Sequence, residues 1–84
     1  MVILAIYDNG GKTFDRYTVY YDTVEKFGNV TMYSCFGMSE HPHHPQGYGQ
    51  HCSGTLGPHN GKKIKLEDLP VECQQAVQND LKED

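Results

Sequence analysis

The feature that most constrains the fold is the Asn-Gly pair at positions 9 and 10, which stands between two strand-like runs. The run before it (VILAIY) is apolar and rich in β-branched residues, as in a central strand buried on both faces. The run after it (DRYTVYY) alternates its side chains between two faces. Because Asn-Gly tolerates the positive φ angles of tight turns, the sequence predicts an antiparallel hairpin.

Further strands are predicted on both sides of the middle of the chain. Residues 30–36 (VTMYSCF) alternate again and predict a third strand that completes a meander, and residues 62–66 (KKIKL) predict a short fourth strand. Between the second and third strands, residues 22–29 (DTVEKFGN) are expected to be a connector, which could hold one helical turn ended by Gly28.

One helix is predicted near the end of the chain, in the stretch EDLPVECQQAVQNDL. Asp68 can cap its start, and Pro70 fits the first turn, where a missing N–H costs nothing. Apolar residues recur at helical spacing and predict one buried face, formed by Leu69, Cys73, Ala76, Val77 and Leu81. The predicted class is α+β, a small antiparallel sheet of three to four strands with this helix packed on it.

The 84 residues predict a single small domain. Residues 1–36 form the sheet, and residues 62–82 form the short strand and the helix. Residues 37–61 between them are predicted to be a long loop, since they hold all five histidines, six glycines and few aliphatic residues. Loops of this length in compact domains are often functional.

Charge and hydropathy restrict the classes of partner and the compartment. The net charge is −4 and the basic residues form no long run, so a nucleic-acid partner is not expected. The apolar start of the chain is too short for a signal peptide or a membrane span. None of the three cysteines forms a C-x-x-C pair, and they predict reduced thiols in a cytoplasmic protein.

The cluster HPHHPQGYGQHC raises the question of a metal site. Zinc takes four nitrogen or sulfur ligands, usually as two close pairs on rigid turns. The candidate ligands are His41, His44, His51, Cys52 and His59. Their spacing matches no zinc pattern closely, so we expect no cofactor, with zinc as the alternative.

The turn DNGGKTFDRYT offers a structural and a functional interpretation. In the first, Asp8 and Asp15 tie down the backbone of the turn, Asn9 stands in it, and Arg16 forms an ion pair with Asp8 across the hairpin. In the second, the glycine-rich turn is an anion-binding nest beside Arg16. The turn leads into a strand, so it lacks the helix of a nucleotide-binding loop.

Two further patterns bear on chemistry. The stretch PQGYGQ suits a binding loop, because Gln46 and Gln50 offer amide groups and Tyr48 offers a ring and a hydroxyl. A catalytic reading would pair Cys52 with the adjacent His51, but neighbours on a strand point to opposite sides. Asp15 with His44 could serve as acid and base if the fold joined them. We therefore lean against an enzyme.

Three stretches, YDNGGKTFDRYTVYY, GMSEHPHHPQGYGQHC and GKKIKLEDLPVECQQAV, together resemble a family of small proteins from bacteria, phages and mobile elements. The shared pattern is DNGGxTxDRYT, then PQGxxQ, then LPxxxQ. The resemblance implies no particular activity, and the histidines are less characteristic of it. It places weight on Asp8, Asn9, Asp15, Arg16, Pro45, Gln46 and Gly47.

These observations predict a non-enzymatic accessory protein of the cytoplasm. Its long loop is expected to fold over the hairpin and to present a binding surface to a protein partner, such as a host protein. That surface comprises Arg16, Gln46, Tyr48 and Gln50. We expect a monomer or homodimer with no membrane contact. The alternatives are a zinc-binding or small hydrolytic protein that uses the His/Cys loop, and a structural subunit of a larger assembly.

Overall fold

The computed structural model describes residues 2–45, 47 and 49–82, so the predicted binding residues Gln46 and Tyr48 lie outside the described residues. It contains an open, antiparallel five-stranded sheet and one α-helix. The strands are β1 (Ile3–Asp8), β2 (Tyr17–Phe27), β3 (Val30–Met38), β4 (Gly49–Gly54) and β5 (Lys62–Ile64), and the helix is α1 (Val71–Lys82). The sheet order is β4-β3-β2-β1-β5. The α+β class is confirmed, with one strand more than expected.

The predicted hairpin is present as β1 and β2. Asp8 pairs with Tyr17, and the Asn9 N–H donates to the Arg16 carbonyl at 3.0 Å. Gly10 and Gly11 take the left-handed φ angles of 77° and 85° that a residue with a side chain adopts at a cost. The turn is longer than a two-residue Asn-Gly turn, and this length lets it project from the end of the sheet.

The expected helical connector at residues 22–29 is wrong. β2 continues to Phe27 and pairs with β3, with Val24 opposite Tyr33. Gly28, at φ 64°, forms a second hairpin turn with Asn29 instead of ending a helix. The β-branched and aromatic residues of this segment suit a strand, and pairing with β3 decides the outcome.

The long loop of residues 37–61 is interrupted by β4, which was not expected. β4 pairs with β3 over its whole length, from Gly49 opposite Met38 to Gly54 opposite Tyr33. All its residues except Gly54 are exposed. The strand is therefore held by backbone pairing and not by burial, so the hydrophobic alternation that signals other strands is missing.

The helix, together with Leu69 just before it, packs on one face of the sheet through the predicted residues. Leu69, Cys73 and Val77 are buried, and Ala76 and Leu81 pack against them. The sheet contributes Ile6, Tyr17, Val19, Tyr21 and Met38 to this core. The helix begins at Val71, and Asp68 does not cap it. The Asp68 carboxylate accepts from the Lys65 N–H at 3.0 Å and closes the short 3-10 turn Leu66–Asp68.

The opposite face of the sheet holds a second, smaller core of Ala5, Tyr7, Tyr20 and Cys35. Residues 55–61 lie over it and include the 3-10 turn Pro58–Asn60. Tyr20 donates its hydroxyl to Asn60 Oδ1 at 2.8 Å, and the Gly57 N–H donates to the Tyr7 hydroxyl at 3.3 Å. Burial raises the pKa of Tyr20 above its usual value.

Candidate functional site

A cleft of about 600 Å³ lies between the β1–β2 turn and the β3–β4 loop. Residues 11–14 and Arg16 line one wall. Residues 39–41, His44 and Gly47 line the other. The order of the strands explains this position, because both connections leave the same end of the sheet, where Asp8, Tyr17, Met38 and Gly49 stand side by side. The structure thus brings together the two segments that the sequence singled out.

Side-chain hydrogen bonds fix the first wall. The Asp8 carboxylate accepts from the Gly10 N–H at 2.8 Å. Asn9 Oδ1 accepts from the N–H groups of Gly11 and Lys12 at 2.9 and 3.1 Å. Asn9 Nδ2 donates to Thr13 Oγ1, which donates to Asp15 Oδ1, each at 2.8 Å. Asp8, Asn9 and Asp15 therefore hold the turn in shape, as the structural interpretation predicted.

Arg16 connects the two walls. Its Nε and Nη2 donate to the two Asp8 carboxylate oxygens at 2.7 and 3.1 Å, which confirms the predicted ion pair. Its Nη1 donates to Glu40 on the opposite wall. The hydrogen bond from Arg16 is the main reason that the pKa of Asp8 lies below its usual value, and the two carboxylates raise the pKa of Arg16.

The second wall is anchored on the helix. The buried Cys73 thiol contacts the Ser39 and Glu40 carbonyl oxygens at 3.3 and 3.4 Å. Burial, followed by the nearby carboxylates, raises the pKa of this thiol to about 11, so it stays protonated at neutral pH. Gly47 passes so close to the loop backbone that a Cβ would stand 1.8 Å from the His41 carbonyl oxygen. This wall accepts no side chain at position 47.

Two described residues of the first wall give the cleft an apolar group and a positive charge. Phe14 is 60% exposed. Lys12 carries an ammonium that makes no ion pair with the residues that the structure describes, whereas Arg16 is committed to two carboxylates. Such a cleft suits an apolar group that carries a carboxylate better than a polyanion. The anion-nest interpretation required Arg16 to face a bound anion, but Arg16 is paired with Asp8 and Glu40 instead.

The five candidate metal ligands do not converge on one point. His41 and His44 line the cleft, whereas His51 bonds Asp80 of α1 at 2.5 Å and His59 lies 3.3 Å from the Thr55 hydroxyl. Within residues 2–45, 47 and 49–82, no group of three or more His, Cys, Asp or Glu side chains could hold a metal ion. The described residues therefore offer no joint ligand set.

The prediction of reduced thiols is wrong for two of the three cysteines. The antiparallel register of β3 and β4 puts Cys35 opposite Cys52, with Cα atoms 5.1 Å apart, and a disulfide joins them. Their 17-residue separation in sequence gave no sign of this pairing. In this state the Cys52 sulfur is neither a thiolate ligand nor a nucleophile. The thiol argument for a cytoplasmic location is also removed.

Sequence reasoning missed Asp80, a buried acid in α1. Its carboxylate accepts from the Tyr21 hydroxyl at 2.7 Å and bonds His51 Nε2 at 2.5 Å. The signal was available, because Asp80 follows Val77 by three positions and so falls on the apolar face of the helix. Since His51 reaches α1 while Cys52 bonds Cys35, these neighbours point to opposite sides of the sheet.

Gln50, the last of the predicted binding residues that the structure describes, lies on the exposed β4 opposite Gly37. It does not line the cleft. No family model, curated protein or solved structure matches the chain. Among the described residues, no helix has both the length and the apolar composition needed to cross a membrane. The cleft is therefore the candidate functional site.

Proposed function

We propose that the cleft binds a segment of a partner protein. One observation supports this proposal above all. The β1–β2 turn and the β3–β4 loop enclose a cleft of about 600 Å³, and the exposed Phe14 lines its wall. Pockets that combine apolar surface with a few placed polar groups are typical recognition sites. The net charge of −4 favours a protein over a nucleic acid.

The chemistry of the walls favours particular side chains in the bound segment. An aromatic or aliphatic side chain would pack on Phe14, and an Asp or Glu would approach Lys12. The rigid turn favours binding, since little conformational entropy is lost when the surface is already ordered. From the resemblance to phage and mobile-element proteins, we propose a host protein as the source of this segment.

A displayed library of random peptides tests this proposal directly. We expect panning on the untagged full chain to select peptides that contain an apolar side chain and a carboxylate. Phe14→Ser should weaken their binding by at least about tenfold, because central aromatic residues dominate small interfaces. Lys12→Glu should weaken it by about as much, through charge reversal beside the peptide carboxylate.

The chain supplies matched controls at the opposite end of the sheet. Phe27 is 58% exposed, close to the 60% of Phe14, and it precedes the β2–β3 turn. Lys26 is an exposed lysine on the same strand. Phe27→Ser and Lys26→Glu should change binding less than about twofold. Equal losses in the test and control variants, or no selected peptides, would contradict the proposal.

Zinc binding is the weaker candidate, because His51 bonds Asp80, His59 lies beside Thr55, and Cys52 is in a disulfide. A cytoplasmic location remains a prediction. Since reducing conditions there oppose stable disulfides, a cytoplasmic location predicts that Cys35 and Cys52 are largely reduced in the cell.

A further inference from the structure

The Cys35–Cys52 disulfide closes a loop that contains the second wall of the cleft. Residues 36–51 lie between the two cysteines, and they include all residues of that wall, from Ser39 to Gly47. The beginning of this segment is held independently, by Arg16 and by the contacts of Cys73. The end of the segment enters β4, so the position of the wall depends on how firmly β4 is held.

β4 is held weakly apart from the disulfide. It is an edge strand, and five of its six residues are exposed, so it gains little from burial. Its other attachments among the described residues are the backbone pairing with β3, the bond from His51 to Asp80 and the contact of the His51 ring with Phe36, with ring centres 5.3 Å apart. Elements with few buried contacts open first in native proteins. Cleavage of the disulfide should therefore loosen β4 more than the interior strands β1, β2 and β3.

We propose that Cys35 and Cys52 form a thiol–disulfide modification site that controls the cleft, with the oxidised state holding the wall closed and the reduced state releasing it. The control of binding rests on the function proposed above, whereas the release of the wall does not. The reagent class is a small thiol, such as glutathione, with its disulfide as the oxidant.

Exchange between glutathione and the protein disulfide begins at the more exposed of the two cysteines. Cys52 is exposed and Cys35 is 2% exposed, so a glutathione thiolate attacks the Cys52 sulfur. The protein disulfide breaks, and Cys35 leaves as a thiolate that takes up a proton. A second glutathione thiolate attacks the glutathione sulfur of the mixed disulfide, releasing Cys52 and glutathione disulfide. Two electrons pass from the two glutathione thiolates to the protein disulfide.

The third cysteine does not compete in this exchange. Cys73 is fully buried in the core beneath α1, on the face of the sheet opposite to Cys35. Its thiol is also occupied by the Ser39 and Glu40 carbonyl oxygens. Cys73→Ser keeps a donor to these oxygens, so it should leave the exchange between the other two cysteines unchanged.

The test combines thiol trapping with hydrogen exchange on the untagged full chain. The protein is equilibrated in glutathione and glutathione disulfide at several ratios, alkylated after acid quenching, and weighed by mass spectrometry. We expect two thiols to appear together as glutathione increases. In the reduced state, amides of residues 43–52 should exchange at least about tenfold faster, while those of α1 change less. Cys52→Ser should match the reduced wild type in every buffer.

The outcomes separate this proposal from the function of the cleft. Equal exchange of residues 43–52 in the two states, or a pair that never changes state across the glutathione ratios, would overturn the redox control. Faster exchange after reduction would support it even if no peptide binds. Peptide binding that is the same in both states, with equal exchange, would leave the cleft function standing and remove the redox control.

Discussion

At the scale of single residues, Arg16 makes side-chain contacts with both walls of the cleft. One guanidinium closes the β1–β2 turn through Asp8 and reaches across the cleft to Glu40. It also lies 5.3 Å from the centre of the Tyr17 ring, a cation–π distance. The planar fork of arginine makes all three contacts at once, which the single ammonium of lysine does not do.

Arg16→Lys should therefore destabilise the protein although the charge is kept. We expect a lower urea midpoint of unfolding, because the paired charge-assisted hydrogen bonds to Asp8 are lost. Urea unfolding of the variant and wild type measures this. Lys63→Arg on the exposed β5 is the control, and an equal effect there would contradict the role of the fork.

The same ion pair predicts a dependence of stability on acid. The pKa of Asp8 is lowered in the folded state, so its contribution is present at neutral pH. That contribution is lost as the pH falls below the ordinary value of 3.8 towards the folded pKa. Asp8→Asn should thus destabilise the protein at pH 7 and lose less stability than wild type on acidification.

The measurement is the urea midpoint of unfolding at neutral pH and at about pH 3, where an ordinary Asp is mostly protonated. Glu25→Gln, on the exposed part of β2, serves as the control and should follow the wild-type curve. An Asp8→Asn protein that loses as much stability as wild type on acidification would show that Asp8 contributes nothing to the pH dependence.

At the scale of elements, the buried Asp80 links α1 to both β2 and β4. Tyr21, which is 1% exposed, donates to one carboxylate oxygen, and His51 bonds the other. A buried carboxylate needs such partners, because burial without hydrogen bonds is costly. This arrangement turns a charged residue on an apolar helix face into a point of attachment for an edge strand.

Tyr21→Phe should cost about 1–3 kcal/mol of stability, since it leaves a buried carboxylate oxygen without its donor. Tyr33→Phe is the matched control, because Tyr33 lies on the same sheet and is only half-buried. Thermal or urea unfolding of both variants provides the comparison. If Tyr21→Phe is as stable as Tyr33→Phe, the Asp80 link is not a stabilising contact.

Elements with local signals could be predicted from the sequence. The Asn9–Gly10 turn and the spacing of Leu69, Cys73 and Val77 led to the correct hairpin and helix face, because turn chemistry and helical periodicity are properties of neighbouring residues. β4 could not be predicted in this way, since its residues are exposed and it exists through pairing with β3.

In the candidate site, too, contacts between neighbouring residues could be predicted, whereas contacts between distant strands could not. The ion pair between Asp8 and Arg16 follows from the hairpin alone, and it was predicted. The contact from Arg16 to Glu40 and the disulfide from Cys35 to Cys52 depend on how β3 and β4 are placed, so residue spacing did not reveal them. The sequence thus located both walls of the cleft but did not show how they are joined.

At the scale of the whole molecule, the central part of the sheet is covered on both faces, and the candidate cleft lies at one end of the sheet. The helix covers one core, and residues 55–61 cover the other. A domain of 84 residues has little core to spare, so a cleft built from connections at the end of the sheet leaves both cores intact. The β2–β3 turn lies at the other end of the sheet, so its variants serve as controls for variants of the cleft.

The measurement that tests the central claim most directly is an NMR titration of the ¹⁵N-labelled full chain with the tightest selected peptide. We expect the largest amide shift changes in residues 11–14 and 39–45, with little change at the β2–β3 turn around Phe27. Changes concentrated at that turn or on β5, with the two cleft walls unaffected, would contradict the claim that this cleft is the binding site.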